Sequence, residues 1–170
     1  MGLTMELAES LAAIALPCYI ANATPVLVAK LLGRTHPLDF GLKLPDGHRL
    51  LGDGKSVEGF VSGVLAGTLM GWLLSPLGLS DVSRAFTLSM GSMVGDALGS
   101  FLKRRLGLRR GDPAPLLDQL SFLVVALASY QLTYGDLSPL TVTLLLLLTP
   151  PIHLATNYLA FRLGLKDRPW

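Results

Sequence analysis

Asp96 stands four residues before Ser100 and seven before Lys103, spacings that put all three side chains on one face of a helix. Asp96 lies inside an apolar stretch, roughly 10 Å from Lys103 at the helical rise of 1.5 Å per residue. A carboxylate inside an apolar span costs a few kcal/mol on insertion scales and marks a functional site by default. After the basic run Lys103, Arg104, Arg105, Arg109 and Arg110 and a turn holding Gly111, Asp112, Pro113 and Pro115, Asp118 opens the next apolar stretch. Two carboxylates beneath a cluster of cations suit an Mg²⁺-dependent reaction on phosphates. Mg²⁺ takes one or two carboxylates and completes its shell with phosphate oxygens and water, while Lys and Arg neutralise the remaining phosphate charge. This assigns Asp96 and Asp118 to the metal and Lys103 and Arg104 to phosphates. A purely structural ion pair from Asp96 to Lys103 or Arg104 accounts for the same residues without chemistry.

A second polar segment, Leu51-Gly52-Asp53-Gly54-Lys55-Ser56, is a Gly-rich turn running into an apolar stretch. Arg49 stands where a Walker motif needs its first glycine and no strand precedes it, so it is not a P-loop. A flexible backbone beside Lys55 at a helix N-terminus still suits phosphate.

These residues need elements to hold them, and composition says which. Of 170 residues 51% are hydrophobic and only 15% charged, with a mean hydropathy of +0.53, too apolar for a chain wholly in water. Five apolar stretches reach the length of about 20 residues that crosses a bilayer: about 10–32, 57–79, 85–102, 116–134 and 139–163. The expectation is an all-α, polytopic integral membrane protein forming a single transmembrane catalytic domain over residues 1–170. Its two polar loops, about 33–56 and 103–115, leave no room for a separate soluble domain, so any chemistry belongs to the spans and loops. Cys18 lies inside the first span and reads as a small buried side chain.

With five spans, both polar loops and the C-terminal tail fall on one side. They carry Lys30, Arg34, Lys43, Arg49, Lys55, the Lys103–Arg110 run, Arg162, Lys166 and Arg168, leaving Arg84 for the other side. The positive-inside rule then puts the loops in the cytoplasm and the N-terminus outside the cell membrane. Gly59, Gly63, Gly67 and Gly71 in the second span and Gly91, Gly95 and Gly99 in the third form smooth faces that favour close helix contact, predicting a tight antiparallel pair. Thr149-Pro150-Pro151 predicts a kink or break in the last span, and Asn22 and Asn157 predict hydrogen bonds between helices. A small cation-coupled transporter or channel, with Asp96 and Asp118 as its ion site, is the competing reading. Against it stand the absence of an internal repeat and the position of both carboxylates near one surface rather than at the midplane.

Gly95-Asp96-Ala97-Leu98-Gly99-Ser100-Phe101-Leu102-Lys103-Arg104-Arg105 followed by Pro115-Leu116-Leu117-Asp118-Gln119 resembles the C-terminal signature of the CTP-dependent phosphatidate cytidylyltransferases. The short chain, Ala21-Asn22-Ala23-Thr24-Pro25 and the Asp46-Gly47-His48-Arg49 to Gly52-Asp53-Gly54-Lys55-Ser56 loop are more similar to the archaeal branch, the CDP-archaeol synthases. The bacterial pattern continues through His-Gly-Gly to Asp-Arg and a second Asp, whereas here Asp118 precedes Gln119, Leu120 and Ser121. The resemblance implies CTP and an isoprenoid glycerol-phosphate lipid as substrates, with Mg²⁺ as cofactor and no nucleic acid. It implies Asp96, Asp118 and Lys103 as catalytic residues, with Asp53, Gly54, Lys55, Ser100, Lys103 and Arg104 around the nucleotide and metal.

Overall fold

The computed structural model describes residues 2–109 and 111–169; Arg110, counted among the expected loop cations, lies outside them. Five α-helices follow one another: α1 (Gly2–Leu32), α2 (Val57–Leu74), α3 (Val82–Arg105), α4 (Leu117–Tyr134) and α5 (Pro139–Arg162), with a 3₁₀ turn at Ser75–Leu77 after α2. The protein is an all-helical, polytopic membrane protein, and each helix falls within a few residues of an expected span except at the start of α1. That helix begins eight residues early. Glu6 and Glu9 are exposed and good helix formers, so they extend it beyond its apolar stretch instead of ending it.

The helix starts are set by local chemistry. The Ser56 hydroxyl accepts from the Gly59 amide at 3.1 Å and starts α2, and the Asp81 carboxylate accepts from the Arg84 amide at 2.8 Å to start α3. α5 runs unbroken through Pro150 and Pro151, so the expected break is absent. Pro150 and Pro151 bring no N–H to the Leu146 and Leu147 carbonyls, and just before them the buried Thr149 hydroxyl donates to the Leu145 carbonyl (2.6 Å).

Among the described residues α1, α2 with its 3₁₀ turn and α5 are long and apolar enough to cross a membrane on their own composition. α3 and α4 are more polar, and they form the most extensive helix contact in the bundle, with α3 touching α1, α2 and α4. Their polar and small residues therefore face protein. Large apolar side chains such as Leu65, Leu69, Leu147 and Leu159 point outward, where hydrocarbon is the natural solvent.

α2 and α3 form the expected close antiparallel pair, but through the α2 glycines alone. The α2 stripe sits in the cleft between α1 and α3: a Cβ on Gly67 would lie 2.6 Å from the Pro17 carbonyl and 2.2 Å from Ser89 Oγ, and one on Gly71 would meet Ala85. The α3 stripe turns to α4, so that a Cβ on Gly91 would lie 2.7 Å from the Ala126 Cα and one on Gly95 would lie 2.4 Å from the Ser121 carbonyl. α2 and α3 are neighbours, but their glycine faces do not meet one another; each admits a different third helix. The main core joins Ile14 and Cys18 of α1 to Leu88, Phe122, Leu123, Ala126 and Leu145, and Cys18 is fully buried as expected.

At the rim reached by the α2–α3 and α4–α5 turns, Arg84 binds Asp81 (3.3 Å), Asp136 (2.9 Å) and the Tyr130 hydroxyl (2.6 Å). The remaining cationic chemistry gathers at the opposite rim.

Candidate active site

The loop between α1 and α2 folds into a small two-armed structure. Its arms are joined by Leu44 N to His48 O (3.0 Å) and Leu50 N to Leu42 O (2.9 Å), around a turn at Asp46-Gly47. Beneath it Asp39 is buried. Its carboxylate accepts from the amides of Gly41 (3.1 Å), Leu51 (3.0 Å) and Gly52 (3.1 Å), and from the Arg49 guanidinium through Nε (3.2 Å) and Nη2. Burial alone would raise this carboxyl, but Arg49 and the three amides outweigh it and hold Asp39 well below the usual carboxylate range. Arg105, at the end of α3, clamps the loop from below through Asp46 Oδ2 and the Arg49 carbonyl, both at 2.6 Å. Sequence reasoning did not single out Asp39. Its one signal is a charged residue set between Leu38 and Phe40.

The loop delivers Lys55 to α3. The Lys55 carbonyl accepts from Leu38 N at 2.8 Å, and its ammonium donates to Asp96 Oδ2 at 2.5 Å. From the other side Lys103 donates to Asp118 Oδ1 (3.0 Å) and Oδ2 (3.2 Å) and to the Asp112 carbonyl (2.7 Å). Asp118 Oδ2 also accepts from the Ala114 amide at 2.9 Å. Leu116, two residues before Asp118, takes a left-handed φ of 65° while its amide donates to the Gln119 side chain. This backbone is costly for a bulky residue, and it makes the abrupt turn that starts α4 directly beside Lys103.

The structural ion pair that stood as the alternative, Asp96 to Lys103 or Arg104, is not formed. Lys103 is two helical turns further along α3 and reaches α4, while Asp96 takes its cation from the other loop. Each expected metal carboxylate thus already holds an ammonium, with side chains about a quarter exposed at Asp96 (24%), Asp118 (27%) and Lys55 (25%). Gly54 lines a cleft with Lys55, Ser56, Asp96 and Pro25 of α1. Ser100 is half-buried between Asp96 and Lys103 on α3. Asp53 bonds Arg49 (2.6 Å) and is largely exposed, so it belongs to the Asp39 network.

The Arg104 guanidinium has no hydrogen-bond or ion-pair partner among the described residues. Its Nε is buried, and its side chain lies against Gly52, whose φ of 87° keeps that surface free of a Cβ that would come within 3.5 Å. A guanidinium held against bare backbone, with its charge unspent, is suited to phosphate. His153 and Asn157 bond one another within α5 (3.0 Å) instead of bridging helices, and His153 stacks on Phe122 of α4.

Among the described residues no group of three or more His, Cys, Asp or Glu side chains is placed to hold a metal. This leaves no cage built from protein alone. Two partly exposed carboxylates at one rim fit Mg²⁺, which binds through few protein ligands when phosphates supply the others.

A five-helix bundle with most of its cations gathered at one rim and hydrocarbon-facing walls defines an intramembrane protein. The family model for CDP-archaeol synthase (CarS-like) matches residues 6–170. Among curated relatives, the CDP-archaeol synthase of Methanopyrus kandleri is 50% identical over 99% of this chain and 96% of its own length. That of Thermofilum pendens is 49% identical over 91% and 78%. A solved structure, that of an intramembrane enzyme for archaeal membrane lipids biosynthesis, superposes with a TM-score of 0.71 at 41% identity, covering 86% of this chain and 91% of the other. The chain belongs to the CDP-archaeol synthase family. It is an enzyme, and the transporter reading falls away.

Proposed function

We propose that the protein transfers CMP from CTP to 2,3-bis-O-(geranylgeranyl)-sn-glycerol 1-phosphate, giving CDP-archaeol and pyrophosphate. The observation that carries this reading is the pair of charged contacts at one rim, Lys55–Asp96 and Lys103–Asp118, supplied by a loop and two helices, with the uncommitted Arg104 guanidinium next in sequence to Lys103. The family membership supplies the substrates.

In the proposed reaction a phosphate oxygen of the lipid attacks the α-phosphorus of CTP in line. The new P–O bond forms as the bond to the bridging oxygen breaks, and pyrophosphate leaves with that oxygen. No protein nucleophile is needed, so the chain's work is positioning and charge. Lys55, Lys103 and Arg104 neutralise phosphate oxygens, Ser100 donates to one of them, and the Gly52–Gly54 backbone lies along the nucleotide with Asp53 at its edge. Asp96 and Asp118 would hold Mg²⁺, which supplies charge neutralisation at the triphosphate. The isoprenoid chains lie against the apolar helices, which explains a nearly all-membrane enzyme acting on a water-soluble nucleotide. The site faces the cytoplasm, where CTP is found.

The test is turnover by purified protein in detergent, with radiolabelled CTP, Mg²⁺ and a panel of lipid phosphates. The expected product is a CDP-lipid, formed far faster with CTP or dCTP than with ATP or GTP. Comparable turnover of all nucleotides overturns the cytidylyl assignment.

A further inference from the structure

The C-terminal tail folds back onto the same rim. α5 ends at Arg162, Gly164 turns the chain with φ 70°, and the Leu165 amide returns to the Ala160 carbonyl at 2.9 Å. Three residues on, Arg168 Nη1 donates to the Gly111 carbonyl at 2.7 Å and lies 3.7 Å from the Asp112 carboxylate. This contact is close: a Cβ on Gly111 would lie 3.1 Å from Arg168 Nε. Asp112 is the residue whose carbonyl receives Lys103, and Lys103 holds Asp118. Between the helix end and this latch stands Lys166, half-buried despite its length and charge.

We propose that the tail is part of the active site: Arg168 latches it to the α3–α4 loop so that the Lys166 ammonium stands with Lys55, Lys103 and Arg104 as a further phosphate-binding cation. The inference rests on the phosphate-transfer reading above. Beyond the latch, its support is electrostatic. Apart from its burial, the charges that act on Lys166 are those of Asp118, Lys55, Lys103 and Asp96, the residues of the two ion pairs. His153, about two and a half helix turns before the end of α5, also feels Lys166, Asp118 and Asp96, so two positions of the last segment report the same neighbourhood. Burial lowers the Lys166 ammonium from its ordinary value, and an arriving phosphate offsets that cost with a charge-assisted hydrogen bond.

The experiment uses the full-length protein in detergent in two arms. In the first, kcat, KM for CTP and lipid phosphate, and melting temperature are measured for wild type, Lys166→Gln, Arg168→Gln, Arg168→Lys and the Lys166→Gln/Arg168→Gln pair. Lys166→Gln should raise one KM about tenfold, the scale of one charge-assisted phosphate contact, with an unchanged melting temperature. Arg168→Gln should do the same to a smaller degree and Arg168→Lys should recover part of it, while the pair should be no worse than Lys166→Gln alone. A folded Lys166→Gln enzyme with wild-type KM values overturns the proposal, and additive effects in the pair overturn the positioning role of Arg168. The second arm needs no turnover: tryptic cleavage after Lys166, followed by mass spectrometry, should be several-fold faster in Arg168→Gln than in wild type. Inorganic tripolyphosphate should slow it in wild type. Equal cleavage with and without both changes overturns the latch, whereas a protected tail in a protein that does not turn over CTP faults the cytidylyl reading alone.

Discussion

At the scale of single residues, the site stores its carboxylates as internal salts. Lys55 and Lys103 each have a carboxylate to relinquish before they can reach a phosphate, and Asp96 and Asp118 each have an ammonium to release before they can take a divalent cation. Nucleotide alone would set phosphate against carboxylate, and metal alone would set it against ammonium. Calorimetry should therefore show CTP and Mg²⁺ binding weakly alone and strongly together; equal CTP affinity with and without Mg²⁺ would contradict this exchange. Asp96→Asn and Asp118→Asn should each lower kcat by orders of magnitude with the double variant little worse, because groups acting on one step are non-additive. A folded Asp96→Asn enzyme of near-normal activity would remove Asp96 from the metal. Asp39 makes a separate prediction. Its folded carboxyl is held below the ordinary value near 3.9, so its contribution to loop stability is complete above that pH and is lost only as pH falls through the depressed value. Leu51 and Gly52 amide exchange, corrected for intrinsic rates, should stay protected at pH 4. In Asp39→Asn that protection should fall by an amount equivalent to about 1–3 kcal/mol, and undiminished protection would show that the carboxylate does not organise the loop.

At the scale of helices, the glycine stripes set what the bundle tolerates. Gly91→Ala places a methyl against the Ala126 backbone, which has no rotamer to give, and such overpacking costs about 1–3 kcal/mol. The variant should melt at lower temperature in detergent while kcat per folded molecule stays unchanged, since Gly91 is more than a helical turn from Asp96. An unaltered melting temperature would mean that α3 and α4 can separate freely at this point. The stripes also show what the sequence could and could not convey. Spans were legible because a bilayer demands about 20 apolar residues whatever surrounds them, and Asp96, Asp118, Lys103 and Lys55 were legible because charge beside an apolar span is expensive. That α1 also enters the α2 face and that the α3 face belongs to α4 were not, since a fourfold repeat says only that something comes close. For the same reason the shared helix face of Asp96 and Lys103 left an ion pair between them open as the alternative to a metal and phosphate site. Their actual partners arrive from distant segments that no spacing along α3 encodes. Asp39 and Lys166 acquire their roles entirely from the fold of loop and tail.

For the whole molecule, the crowding of Lys and Arg at the site rim, with Arg84 the exception at the other, predicts through the positive-inside rule that the site rim is cytoplasmic. Cysteines replacing the exposed Leu42, Leu106 and Leu77 in a Cys18→Ser background test it with an impermeant thiol reagent on intact cells. Leu77→Cys should label and the other two should not; the reverse pattern would invert the protein. A consequence for biogenesis follows from where the site residues come from. Lys55 precedes α2, Asp96 and Lys103 belong to α3, Asp118 opens α4, and Arg168 of the tail ties back to the α3–α4 loop. A chain whose first four helices have been inserted holds both ion pairs, yet its tail is still within the ribosome, where it cannot reach Gly111. On this arrangement the tail contact forms after both ion pairs, once the segment that follows α5 has emerged and folded back.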